Sequence, residues 1–481
     1  MKRRAFLELG LAAPSLVASM SGCGGRSRGA CPEPPAPAPG EANQVEPAAL
    51  EGRSWLLTGA RVPAIFAPQG EEGSYDLRVV EGRIVSIERA PSSAGAGEPG
   101  LDLRGCWLLP GFVDTHFHLW NSLARGADNS QLGGFYPSMG ALAKVWTPAA
   151  SALGVELGLA ECVASGITTV NNWAHNVRSP EHAAAELDAQ LRSGVRGRFS
   201  CGYSQSLGED EIMDLDTVAA MLAQVEGIQG SLIDVGIAAR GPDRSAGEVW
   251  RAEWDRARAL GVPITAHVAS KRAAADEHNI PLMYEEGRLG PDVQLVHATH
   301  ARPEDYAMLA EAGSPVFISP WTETAVGYGF PGLLAMIDAG VKVGLSVDNL
   351  VLASRADFFE VMKLSANLLD ALGEAQRVGA DARVLGWATS GGGEALGIPG
   401  VGRLEVGGPA DIVALRPPAL AHLGLDRAKT FTHHATTAWV DTVLIDGRVH
   451  KRGGKLTRID AAELAARAQA MFGELAARAG L

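Results

Sequence analysis

Cysteine is scarce: there are five in 481 residues, Cys23, Cys31, Cys106, Cys162 and Cys201. None stand at zinc-finger spacing, which excludes a finger module, and the last three lie in apolar strand or helix contexts that suit buried free thiols. Basic residues are outnumbered, 42 against 55 acidic ones, for a formal charge of −13. No basic block stands outside the extreme N-terminus, so the chain lacks the positive face that a nucleic-acid partner requires. There is no repeat of fixed short period, which excludes a solenoid or propeller. Lysine is missing altogether between Lys144 and Lys271. What remains, 46% hydrophobic and 20% charged residues, is the composition of a folded protein with one large domain and an accessory, or two domains.

The first apolar stretch, within "MKRRAFLELGLAAPSLVASMSGC", is short and broken by Glu8 and Pro14, so it does not make a stable spanning helix. Arg3-Arg4-x-Phe6-Leu7 resembles a twin-arginine export signal, and Met20-Ser21-Gly22-Cys23 resembles a bacterial lipobox whose Cys23 would be lipidated. Residues 1–23 therefore read as a signal and 24–50 as a proline-rich, semi-rigid tether. The expected location is the periplasm or cell envelope, with membrane attachment through a lipid anchor alone.

From residue 106 to 400, helical patterns alternate with eight short apolar runs: "LLPGFVDTH" (108–116), "ITTVNNW" (167–173), "RGRFSCGYS" (196–204), "IDVGIAARG" (233–241), "PITAHV" (263–268), "VQLVHATH" (293–300), "PVFISP" (315–320) and "KVGLSVD" (342–348). Near-continuous apolarity suits strands buried on both faces. Eight such units predict an α/β fold, a (β/α)8 TIM-type barrel. Residues 51–105 and 401–455 read instead as short strands and turns, predicting a small β-sandwich assembled from both chain ends. Residues 456–481 read as a C-terminal helix.

Chemistry in such barrels sits at the C-terminal ends of the strands. Standing there are His116, His118, His175, His267, His297, His300, Glu323 and Asp348. In a strand, residues i and i+2 face one side, so His116 and His118 can both face the barrel mouth. Taken alone, that pair could equally be two polar residues leaving a strand together. With His267 and Asp348 in matching positions, the set suits an open catalytic site for one divalent metal ion, Zn2+ or Fe2+.

These stretches, with "WATSGGGEALGIPGVGRLEVGGPADIVAL", resemble in order the amidohydrolase superfamily, nearest the triazine-hydrolase and cytosine-deaminase-like group, over roughly residues 54–455. The resemblance implies the barrel and composite sandwich. It implies metal ligation by His116, His118, His267 and Asp348, with Asp348 also taking a proton and His297 handling protons near the substrate. Members with two metals bridge them with a carboxylated lysine after the fourth strand. The lysine-free stretch implies a mononuclear site here. Deaminases of the group carry a glutamate three residues after the strand-five histidine, where this chain has Ser270, a poor general acid able to position water or substrate. Glu323 is the nearest replacement carboxylate by sequence, or else a solvated or structural acid. His300 reads as a pocket residue or a helix-start residue, and His175 as pocket lining or a satisfied hydrogen-bonding residue. Trp120 and Asn121 are candidates for a stacking face and a hydrogen bond, and Trp173 and Trp321 for apolar wall or packing.

A divalent ion lowers the pKa of a water from about 15.7 to near 7–9, so such a site supplies a nucleophile at neutral pH. The expected function is a mononuclear metal-dependent hydrolase of non-peptide C–N bonds acting on a small N-heterocycle or amide. Displacement of another leaving group, or opening of a cyclic amide, is the alternative within this class. A catalytically degenerate, ligand-binding envelope lipoprotein is the alternative outside it. The expected partner is a small-molecule substrate, with a homo-oligomer as the candidate assembly.

Overall fold

The structure, a computed structural model, describes residues 50–92, 99–128, 133–372, 379–421, 424 and 426–481. The signal, the tether and Cys23 lie outside them.

Eight parallel strands pair in sequence order: Phe112–Phe117, Ile167–Ala174, Arg196–Cys201, Ile233–Ala239, Ile264–Val268, Val293–His297, Val316–Ile318 and Val343–Leu345. They are called here the first to eighth barrel strands. Their side chains are almost all buried, as the near-continuous apolar runs require. Helices connect them with ordinary start and stop chemistry. The helix Pro148–Ser165 has proline in its first turn, Thr147 capping Ala150 N–H, and Gly166 ending it at φ +91°.

The ring closes between the first and eighth strands. Gly344 makes this approach possible, since a Cβ there would lie 2.4 Å from Thr115. The Thr115 hydroxyl donates to Leu345 O at 3.0 Å, and Phe117 and Asp348 form a parallel bridge. Asp114 helps from inside: its two carboxylate oxygens accept the N–H groups of His116 and Val347, each at 3.1 Å.

A second, nine-stranded sheet draws on both chain ends. Ile412–Leu415 from the C-terminal part runs antiparallel to Trp107–Pro110 from the N-terminal part, with Val413 opposite Leu109. These strands enclose their own core, including Trp55, Leu57, Leu77, Leu108, Ile412 and Leu444, as the composite sandwich requires. One boundary moves. Residues 108–116 were expected to form a single barrel strand, but Trp107–Pro110 pairs in the second sheet and the barrel starts at Phe112. Between them Gly111 turns so close to Thr168 that a Cβ would lie 2.0 Å from its hydroxyl oxygen. An apolar run is compatible with either sheet, so hydropathy did not reveal the break.

The C-terminal helix, Ala461–Ala479, is capped by Asp460 and buries Leu464, Ala468 and Leu475 in a cluster with Trp120, Leu142 and Trp146. It thereby props the segment that follows the first barrel strand. Cys106, Cys162 and Cys201 are buried free thiols. Among the described residues, no helix is long and apolar enough to cross a membrane.

Candidate metal centre and active site

The first barrel strand carries His116 outward to the mouth, and His118 follows as the N-cap of a 3-10 turn, Leu119–Ala124. His267 lies in the fifth strand, His297 ends the sixth, and Asp348 stands three residues past the eighth. Barrel closure itself assembles part of the group. Asp348 N–H donates to His116 O at 3.1 Å, and His118 N–H donates to Asp348 O at 2.6 Å. Several of these residues adopt left-handed backbone: His297 at φ +68°, Asp348 at +70° and Ala269 at +49°. Such conformations cost of order 1–3 kcal/mol each and cluster where a site demands a fixed side-chain direction.

Ligand atoms of His116, His118 and His267 lie within 4.8 Å of one another, and so do those of His116, His297 and Asp348. Asp348 Oδ1 is 3.4 Å from His116 Nε2 and 3.2 Å from His118 Nε2. Donors about 2.0–2.1 Å from one tetrahedral ion stand roughly 3.3 Å apart, which the Asp348–His116 and Asp348–His118 spacings match. Neither ring nitrogen of His116 makes a hydrogen bond, and His267 Nδ1 makes none. Orphaned polar atoms this deep are costly unless something coordinates them. His118 Nδ1 lies 3.2 Å from Trp173 O, which fixes the tautomer that leaves Nε2 free. Burial pushes all three histidines below their ordinary pKa, well below for His118 and His267, which keeps the imidazoles neutral as ligands must be. Burial alone would raise Asp348. The close approach of His116 Nε2, 3.4 Å from its Oδ1, outweighs this and holds it below its usual range.

His118, His267, His297 and Asp348 of this group form the floor of a cavity of about 430 Å³, and His116 is buried behind it. Trp173 lines it, its ring 4.4 Å from that of His267 and 5.0 Å from that of His118. Asn121 and His175 also line it. Trp120 does not. It is wholly buried and donates its indole N–H to His175 Nδ1 at 3.1 Å. His175 therefore carries its proton on Nε2, 2.7 Å from the Gln205 side-chain amide, which must present its oxygen. Burial, followed by the charge of Arg244, lowers the His175 pKa to about 3. His175 is thus both pocket lining and a satisfied hydrogen-bonding residue, and it is neutral.

Four candidates for substrate contact lie outside the cavity lining. Glu323 is fully buried outside the cavity lining, its Oε1 3.1 Å from His297 Nδ1 and accepting Ser319 N–H at 2.9 Å. It holds His297 from behind, leaving Nε2 for the pocket, and does not replace the missing glutamate. Ser270 is buried away from the cavity, its hydroxyl without a hydrogen bond. His300 donates its backbone N–H to Ala269 O and does not line the cavity. Trp321, 36% exposed, lies outside the lining too.

The opposite wall went unread in the sequence. Asp243 and Arg244 follow the fourth strand, at the position to which the strand-end rule points. Asp243 anchors this loop: its oxygens accept Ala269 N–H at 2.7 Å and Asn279 Nδ2–H at 2.9 Å. Tyr136 and Tyr328 meet hydroxyl to hydroxyl across the pocket mouth, and the Tyr328 ring lies 5.3 Å from His297. Arg240 is buried in an ion pair with Glu253 at 2.7 Å and also donates to Gly208 O.

Over 423 residues the chain is 29% identical to the 5-methylthioadenosine/S-adenosylhomocysteine deaminase of Halobacterium salinarum, covering 83% of this chain and 93% of that protein. It is 26% identical over 455 residues to the 8-oxoguanine deaminase of Pseudomonas aeruginosa, covering 88% and 99%. Its fold matches the crystal structure of atrazine chlorohydrolase from Arthrobacter aurescens complexed with zinc, at TM-score 0.74 and 21% identity, covering 87% of this chain and all of that one. The amidohydrolase family model matches residues 107–450, most of the barrel and much of the composite sheet, and the chain belongs to the amidohydrolase family.

Proposed function

We propose that the protein is a mononuclear, metal-dependent hydrolase of C–N bonds outside peptides, acting on a small N-heterocycle or amide. The observation that carries this reading is the cavity floor, where His116, His118, His267 and Asp348 gather with His116 and His267 nitrogens left without hydrogen bonds. These four residues would hold the metal, with zinc favoured by their nitrogen and oxygen donors. The fourth strand ends in Ala238-Ala239 and offers no second ligand of the carboxylated-lysine kind. A divalent ion held there supplies a water of lowered pKa as nucleophile.

The chain does the rest. Asp348 Oδ1 faces the same point as His116 and His118 Nε2, so it can take a proton from the attacking water. His297, its Nδ1–H directed to Glu323, presents Nε2 to the substrate atom on which charge develops. No carboxylic acid stands three residues past His267, and Asp243 has both oxygens engaged as acceptors. Proton delivery to the leaving group therefore falls to Asp348 and His297. Trp173 and the Tyr136–Tyr328 pair shield the reacting atoms from bulk water.

Purified protein should carry near one equivalent of metal and release ammonia or open a ring on members of a panel of heterocyclic amines, lactams and anilides. A clean metal-free protein with no turnover and unchanged stability would favour a ligand-binding role. Export by the twin-arginine route, with Cys23 lipidated, is part of the same proposal, since that route carries folded proteins. Replacing Arg3-Arg4 by Lys-Lys should retain the protein in the cytoplasm, and continued export would discard the signal.

A further inference from the structure

Three cations stand on or beside the cavity wall facing the histidines, and two are engaged. Arg240 is tied to Glu253, Gly208 O and Glu211 O. Lys271 lies outside the lining, its ammonium 4.4 Å from the Tyr136 ring centre. The third, Arg244, lines the cavity and is exposed to solvent. Among the described residues no carboxylate pairs with it, and its neighbours are the hydroxyls of Tyr203, Tyr136 and Tyr328. Two acids near it are already occupied: Asp243 by Ala269 N–H and Asn279, and Asp348 by the histidine group. Glu209, at the exposed rim, makes no ion pair with it. Anchoring of Asp243 fixes the backbone that carries Arg244, so the guanidinium is presented from a held position. Arg244 lines the same cavity as His118, His267, His297 and Asp348, so cation and metal site lie within reach of one small molecule.

We infer that the substrate is an anion: a planar N-heterocycle or cyclic amide bearing a carboxylate, which docks on the Arg244 guanidinium while its ring lies toward Trp173 and its scissile carbon toward the histidines. A guanidinium fork matches a carboxylate bidentately, and one unpaired arginine balances one negative charge. A cavity of about 430 Å³ lies within the range that takes a small-molecule ligand of this kind. This rests on the hydrolase reading for the direction in which the substrate lies, but its test reads binding without turnover.

The test uses matched pairs, nicotinate with nicotinamide and 6-aminonicotinate with 6-aminonicotinamide, titrated calorimetrically into the metal-loaded full chain, its Arg244→Gln variant and its Arg244→Lys variant. The expected result is at least one pair in which the acid binds wild type about tenfold or more tightly than the amide. That preference should fall to near one in Arg244→Gln and be partly restored in Arg244→Lys, with unchanged melting temperatures. No acid preference in either pair would overturn the inference. So would a preference that survives Arg244→Gln, because the carboxylate would then be going to the metal. A protein that prefers the acids through Arg244 yet never turns over any amine or lactam would sink the hydrolase reading and leave this one standing.

Discussion

The floor and the far wall of the cavity are made differently. The floor hangs from strands: His116, His118, His267 and His297 leave a closed ring of parallel strands, and the first-to-eighth closure joins His116 and His118 to Asp348. The wall hangs from loops: Tyr136, Tyr203, Arg244 and Tyr328 follow the first, third, fourth and seventh strands and are held by single anchors such as Asp243 and the Arg240–Glu253 pair. Strands fix direction to within a narrow range, as shared metal coordination requires, whereas loops can vary without disturbing the ring. Chemistry thus belongs to the floor and choice of substrate to the wall.

If that division holds, damage to the floor should remove turnover and damage to the wall should alter recognition. His267→Ala should take metal content from near one equivalent to near none and activity down by roughly 10³-fold or more, read by metal analysis and initial rates. Full-rate turnover without metal would erase the distinction. Glu323→Gln leaves the ligands intact but removes the carboxylate behind His297. It should lower kcat about 10–100-fold with KM and metal content little changed. An unchanged kcat would move His297 from the floor's chemistry to packing.

Glu253→Gln attacks the wall, because it leaves the buried Arg240 without its counter-ion, which costs about 3–5 kcal/mol. Thermal melting should fall and KM rise while metal content stays. A drop in metal content would show that floor and wall are mechanically one. The smallest effect on turnover is expected off both regions, at Glu186, wholly buried beside Ser151 and Asn172, whose carboxyl burial pushes up to about 8. Its folded pKa exceeds its unfolded value of 4.5, so its stability is complete below pH 4.5 and is lost as pH rises through 8. The slope is at most about 1.4 kcal/mol per pH unit. Glu186→Gln should therefore gain stability over wild type between pH 5 and pH 8 with activity unaltered, and a pH-independent difference would refute the buried-acid account.

The floor was legible in the sequence because the strand-end rule and the i, i+2 spacing act locally. "THFH", "TAHV", "LVH" and "SVD" each announce a strand followed by a polar residue. The wall was not, because a loop's sequence does not state where its side chains return. Glu323 shows the reason in one residue. Its position after the seventh strand suggested a substrate contact, yet the short helix Pro320–Ala325 turns it inward beneath His297. Trp120, two residues past His118, likewise points away from the cavity and meets His175 from another strand.

Sequence by itself determined the barrel, the composite sheet and the identity of the residues at the mouth, since hydrophobic periodicity and strand polarity are written residue by residue. Only the tertiary structure decided where one apolar run splits at Gly111, which acid supports which histidine, and that Arg244 lines the cavity with no carboxylate partner among the described residues. Those outcomes depend on contacts between segments far apart in the chain, such as Asp348 with His118, which exist only once the ring has closed.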